Sequence, residues 1–186
     1  MYLPLDSFLK MLLREKMRNR GLEHLMNFYI DAYKDQLFFI KENELKLKVI
    51  CPKELVLKRT IQLPSPDFYK KMPESYYSYK KEFRGNIQRL RRDFESWRTD
   101  YSKISKMLVE GDNLVLQIRT CSDELKKFAL LFYNAGTFKL ERTIYTDDYL
   151  LAAKDGKYYF FANGHPSLDD DTDECIINIY SFIDTK

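Results

Sequence analysis

Residues 44–50, ELKLKVI, alternate strictly: Leu45, Leu47 and Val49 lie on one side, Lys46 and Lys48 on the other. A period of 2 predicts a β-strand with one buried face. Two further segments have the same character, LKKFALLFY at 125–133 and CIINIYSF at 175–182. Each of the three follows a pair of strand-like runs: FYIDAY then KDQLFFI (28–40), ISKMLVE then GDNLVLQI (104–118), and YLLAA then KDGKYYFF (149–161). Asp35, Asp112 and Asp155 mark the join within each pair. Asp-Gly and Asp-Asn suit tight hairpin turns, because Gly and Asn accept positive φ at little cost. Three hairpins, each with a third strand, are therefore expected.

A fourth strand follows in two copies. ELVLKRTI at 54–61 returns 83 residues later as TFKLERTI at 137–144. Leu55, Leu57, Arg59 and Ile61 share one parity, and Phe138, Leu140, Arg142 and Ile144 share the equivalent one. The repetition gives Arg59 and Arg142 a structural task, such as pairing with an acid on a neighbouring strand. Asp112 and Asp155 are 43 residues apart, whereas Asp35 and Asp112 are 77 apart and enclose an insertion. Four short antiparallel strands in roughly 40–50 residues make one blade of a β-propeller. A plain meander, a β-sandwich and other α+β arrangements are the alternatives.

The segments KDQLFFI…LKLKVI…LVLKRTI, GDNLVLQI…FALLFY…FKLERTI and YLLAAKDGKYYFFANG…CIINIYSFI resemble the bacterial six-bladed β-propeller proteins of the TolB-like kind, over about residues 27–63 and 104–183. A Gly-rich GxGPGxY-like loop and an export or lipid-attachment signal, common in that family, are not seen. The resemblance implies a binding or scaffold role and transfers no catalytic residue.

The expected fold is mainly β with helical additions: a partial propeller of about three four-stranded blades in one domain, 1–186. Its parts are an N-terminal helix (1–26), blade 1 (27–63), a helical insertion (64–103), blade 2 (104–148) and an incomplete blade 3 (149–186). Closed propellers have at least about four blades. A longer parent chain, a second copy, or an open stack capped by helices would each resolve the shortfall. A protein partner or self-association completing the sheet is the expected partnership.

The helical expectations rest on apolar stripes. Leu5, Phe8, Leu9, Leu12 and Leu13 make one over 5–20, ended by Gly21. After Pro73, residues Tyr76, Tyr79, Phe83, Ile87, Leu90, Phe94, Trp97, Tyr101 and Ile104 recur at spacings of 3 and 4, predicting a helix over 74–100 whose far end competes with ISKMLVE. Arg84, Arg89, Arg91, Arg92 and Trp97 on this insert form the expected partner-binding surface. Arg beside aromatics also suits nucleic acid, but Glu82, Asp93 and Glu95 are interleaved.

Composition changes little in this picture. Net charge is +3 from 31 basic and 28 acidic residues, which makes no general case for nucleic acid. Cys51, Cys121 and Cys175 are widely spaced and read as free thiols. His24 and His165 fall in no Ser-His-Asp or Cys-His pattern. The acidic run 165–175 lacks the Gly and distal Glu of a calcium loop. No catalytic residue, cofactor or metal is expected. Asp31, an acid inside the first of the three first strands and ahead of its turn, is the candidate for a hydrolase alternative with a site in a propeller funnel. With no apolar run long enough to span a membrane and no signal peptide, the expectation is a cytoplasmic protein, or an exported one if the natural N-terminus lies upstream.

Overall fold

A computed structural model describes residues 27–54, 56–73, 99–122, 124–162 and 176–182. These form eleven strands in three antiparallel sheets. The first sheet contains β1 (Phe28–Tyr33), β2 (Gln36–Lys41), β3 (Lys46–Cys51) and β4 (Val56–Gln62), in that order. The second contains β5 (Lys103–Glu110), β6 (Asn113–Arg119), β7 (Phe128–Asn134) and β8 (Leu140–Thr146). In the third, β9 (Tyr149–Lys154), β10 (Lys157–Phe161) and β11 (Ile177–Ser181) lie side by side.

Among the described residues, the expectation of a β fold with helical additions is corrected to sheets with essentially no helix. The stripe at 5–20 lies outside the described residues, as does the insert at 74–100 except for Thr99 and Asp100, which carry helical backbone. Where the insert's stripe ran on to Tyr101 and Ile104, the extended chain wins. Ser102 N donates to Lys70 O at 2.9 Å, and Ile104 N donates to Glu42 O at 2.7 Å. Ile104 is then buried as part of β5. Backbone groups taken from water must be paired, and here sheet partners pair them.

Two-residue loops join the hairpins. Lys34-Asp35 lies between Tyr33 and Gln36, Gly111-Asp112 between Glu110 and Asn113, and Asp155-Gly156 between Lys154 and Lys157. Positive φ falls on Lys34, Gly111, Asp155 and Gly156. Asp155 thus takes the first loop position, whereas Asp35 and Asp112 take the second. Asn113 belongs to β6 and not to the turn.

The sheets stack face on face. Phe38, Ile40, Leu47 and Val49 of the first sheet meet Leu114, Leu116, Ile118 and Leu131 of the second, all buried. From the opposite face of the second sheet, Val115, Leu130 and Phe132 meet Leu150, Tyr158 and Phe160 of the third. The middle sheet is apolar on both faces, so β6 and β7 read as nearly continuous hydrophobic runs. Burial of each large apolar side chain contributes on the order of 1.5–3 kcal/mol, so these two layers supply the main cohesion.

The fourth strands share an irregularity. Val49 pairs with Arg59 but Ile50 pairs with Leu57, leaving Lys58 as an extra residue. Phe132 pairs with Arg142 but Tyr133 pairs with Leu140, leaving Glu141 extra. A bulge reverses the alternation of faces. Leu57 and Arg59 therefore face opposite ways despite their common parity, as do Leu140 and Arg142. Phe138, expected within the fourth strand, precedes β8 with φ of 59°.

Candidate functional site

Polar groups concentrate where one sheet meets the next. The first strands β1, β5 and β9 lie next to one another. Asp31 on β1 accepts from Val109 N of β5 at 2.7 Å through Oδ2, and from Ala32 N at 2.7 Å through Oδ1. The carboxylate therefore ties β1 to β5. Ser105 is the extra residue of a bulge in β5, and phenols approach that bulge from both sides. Tyr29 OH donates to Ile104 O at 3.1 Å, and Tyr149 OH donates to Ser105 O at 2.9 Å. Burial pushes both hydroxyls above the ordinary tyrosine range, with Glu42 adding to the effect at Tyr29. They remain neutral donors.

The hairpin tips are linked as well. Tyr33 OH donates to Asp112 Oδ1 at 2.6 Å, and Lys34 Nζ lies 3.6 Å from the same oxygen. The Tyr33 hydrogen bond first, then the Lys34 charge, holds the Asp112 carboxyl below the usual carboxylate range. One junction further, Gly156 N donates to Glu110 Oε1 at 2.9 Å. Asp112 thus has an inter-sheet contact at its tip.

A buried amide joins the second and third sheets. Gln117, fully buried on β6, donates from Nε2 to Asp148 O at 2.8 Å and accepts from Leu150 N at Oε1 at 3.1 Å. Asp148 in turn accepts at Oδ2 from Asn178 Nδ2 at 2.9 Å and Tyr180 OH at 3.1 Å. The last strand, β11, is held to the β8–β9 connection by this carboxylate. The only sequence sign of Gln117 is one amide inside an apolar strand, NLVLQIR.

Arg59 and Arg142 stand at matching places in β4 and β8, each beside an aromatic ring. Arg59 Cζ lies 5.1 Å from the centre of the Phe138 ring. Arg142 Cζ lies 4.4 Å from Phe132 and 5.4 Å from Phe182. Arg84, Arg89, Arg91, Arg92 and Trp97 lie outside the described residues. Among the described residues, no three His, Cys, Asp or Glu side chains form a group that could hold a metal. Nor is any helix among them long and apolar enough to cross a membrane.

Among the described residues, exposed apolar side chains cluster at β11 and the residue before it. Ile176, Ile177, Ile179 and Tyr180 are 62%, 41%, 59% and 41% exposed. Ile177 and Ile179 pair with Phe161 and Tyr159, so they lie on the face of the third sheet turned away from the second. Their counterparts in the second sheet, Leu130 and Phe132, are buried against the third. No protein-family model matches the sequence, and comparison with curated proteins gives no match.

Proposed function

We propose that the chain is a non-enzymatic binding or scaffold protein, built of repeated antiparallel sheets in the manner of TolB-like β-propeller blades, whose contact surface is the third sheet. The observation that carries this reading is the contrast at one repeated position. Phe132 is 1% exposed against the third sheet, while Ile179, its counterpart, is 59% exposed. Contiguous exposed apolar side chains on a sheet mark a place for protein contact. The polar residues support the same reading, since Asp31, Gln117 and Asp148 are engaged in joining strands and sheets.

The test is a photo-crosslinking residue placed at Ile176. The expected result is a defined polypeptide adduct, either a second copy or another protein. Absence of any adduct would count against a contact at this surface. A hydrolytic activity lost on changing Asp31→Asn would overturn the non-enzymatic reading in favour of a funnel-site hydrolase.

A further inference from the structure

Sheet edges expose unpaired N–H and C=O groups, and natural proteins protect them with charges and bulges. Both devices occur together in β4, with Lys58 as the bulged residue and Arg59 beside it. They occur together again in β8, with Glu141 bulged and Arg142 beside it. These are the outer strands of the two four-stranded sheets. β11 is the outer described strand of the third sheet, and it has neither device. Ile177–Ser181 reads INIYS, without a charge, and pairs with β10 in an unbroken register. Among the described residues, no strand pairs with its far side.

We infer that β11 pairs antiparallel with β11 of a second copy of this chain, joining two third sheets into one six-stranded sheet. The inference rests on the binding reading above and names its partner. Its chemistry is self-complementary. An antiparallel strand that pairs with itself places each residue opposite its mirror position, so a charge on the axis meets its own copy and charges close to it crowd together. β11 has none. With the two-fold axis at Ile179, that residue faces its own copy, Asn178 faces Tyr180, and Ile177 faces Ser181. The two apolar rows, Ile177 and Ile179 with Tyr159 and Phe161, then become continuous across the join. A closed two-fold pairing uses the same edge on both chains and leaves neither open.

Sedimentation of the full chain tests the pairing. The expected species has twice the 22.4 kDa chain mass and dissociates on dilution. Ile179→Lys sets two ammonium groups face to face and should weaken the dimer at least about tenfold. Ile179→Thr, neutral and β-branched, should retain it. Because Ile179 is exposed within one chain, both variants should keep the parent circular dichroism and melting. Register is tested by disulfide trapping. Ile179→Cys should form an intermolecular bond under oxidant beyond that of the parent, while Ile177→Cys alone should not, and Ile177→Cys with Ser181→Cys should. A monomeric parent chain, a dimer indifferent to Ile179→Lys, or equal trapping by both single cysteines would overturn the inference. If the Ile176 crosslinker then captured a different polypeptide, the binding reading would stand and only the self-pairing would fall.

Discussion

Arg59 and Arg142 stand at the same place in successive sheets, and each lies over an aromatic ring belonging to the sheet that follows, Phe138 and Phe182 respectively. Each is also paired across the ladder with a residue facing that next sheet, Val49 or Phe132. The repeated cation is thus a clasp between layers. Exposed cation–π contacts contribute about 0.5–1 kcal/mol and better desolvated ones up to about 2. Arg59→Ala should therefore cost about 0.5–1 kcal/mol, and Arg142→Ala more, since Arg142 is less exposed and lies over two rings. Urea denaturation of each variant and of the pair measures both effects. Losses that add would show that the two junctions act independently.

Gln117 should be the most sensitive polar position. Gln117→Ala removes the acceptor of the buried Leu150 N and the donor to Asp148 O. Leaving buried groups unpaired costs about 1–3 kcal/mol each, so a loss of at least about 2 kcal/mol is expected in chemical denaturation. Early exchange of the Leu150 amide would locate the damage.

Asp31 separates a structural carboxylate from a catalytic one. Asp31→Ala should expose the Val109 amide to rapid hydrogen exchange, whereas Asp31→Asn keeps an acceptor and should largely preserve its protection. Exchange of Val109 unchanged in Asp31→Ala would show that the hydrogen bond does not control opening at this junction.

The pH dependence has a defined sign. Asp112 is lowered chiefly by the Tyr33 hydrogen bond, and Asp147 is lowered by the Lys126 hydrogen bond and then by the Lys127 amide. A carboxyl depressed in the folded state stabilises it above its unfolded pKa, and that contribution disappears as pH falls through the folded value. Both groups are exposed, so solvent screening keeps the stability effect small. Carboxyl-carbon NMR titration reads them directly. Tyr33→Phe should raise the Asp112 pKa towards the ordinary range, and Lys126→Ala should do the same for Asp147.

The strands were legible in the sequence because period-2 alternation and Asp-containing turns are local signals. The junctions between sheets were less so. Parity alone put Leu57 with Arg59, but the bulge at Lys58 turns them to opposite faces, and bulges leave little mark in composition. That Phe138 and Phe182 lie beside the repeated Arg residues has no local sign, because it depends on which sheet stacks where, a long-range fact. The continuation of the insert's stripe to Tyr101 and Ile104 is not helical for a related reason, since Ser102 N and Ile104 N donate to Lys70 O and Glu42 O and hold that stretch extended. At β11 the sequence-level question about a fourth strand becomes a question of edge chemistry, readable once the ladder order is known.

The insertion between the first two sheets leaves and returns through a single doorway. Ser102 N donates to Lys70 O at 2.9 Å, and Lys70 N donates to Ser102 Oγ at 3.0 Å. Just before it, Tyr133 OH secures Pro64 O at 2.8 Å, and Met72 is fully buried just inside the insertion. A stem closed in this way insulates the sheets from the length of what it carries. Because loop closure costs only about 0.6 kcal/mol per doubling of length, lengthening the chain between Met72 and Tyr101 should cost the layers little. Lys70 and Ser102 thus act as a socket whose closure is set by its own two hydrogen bonds.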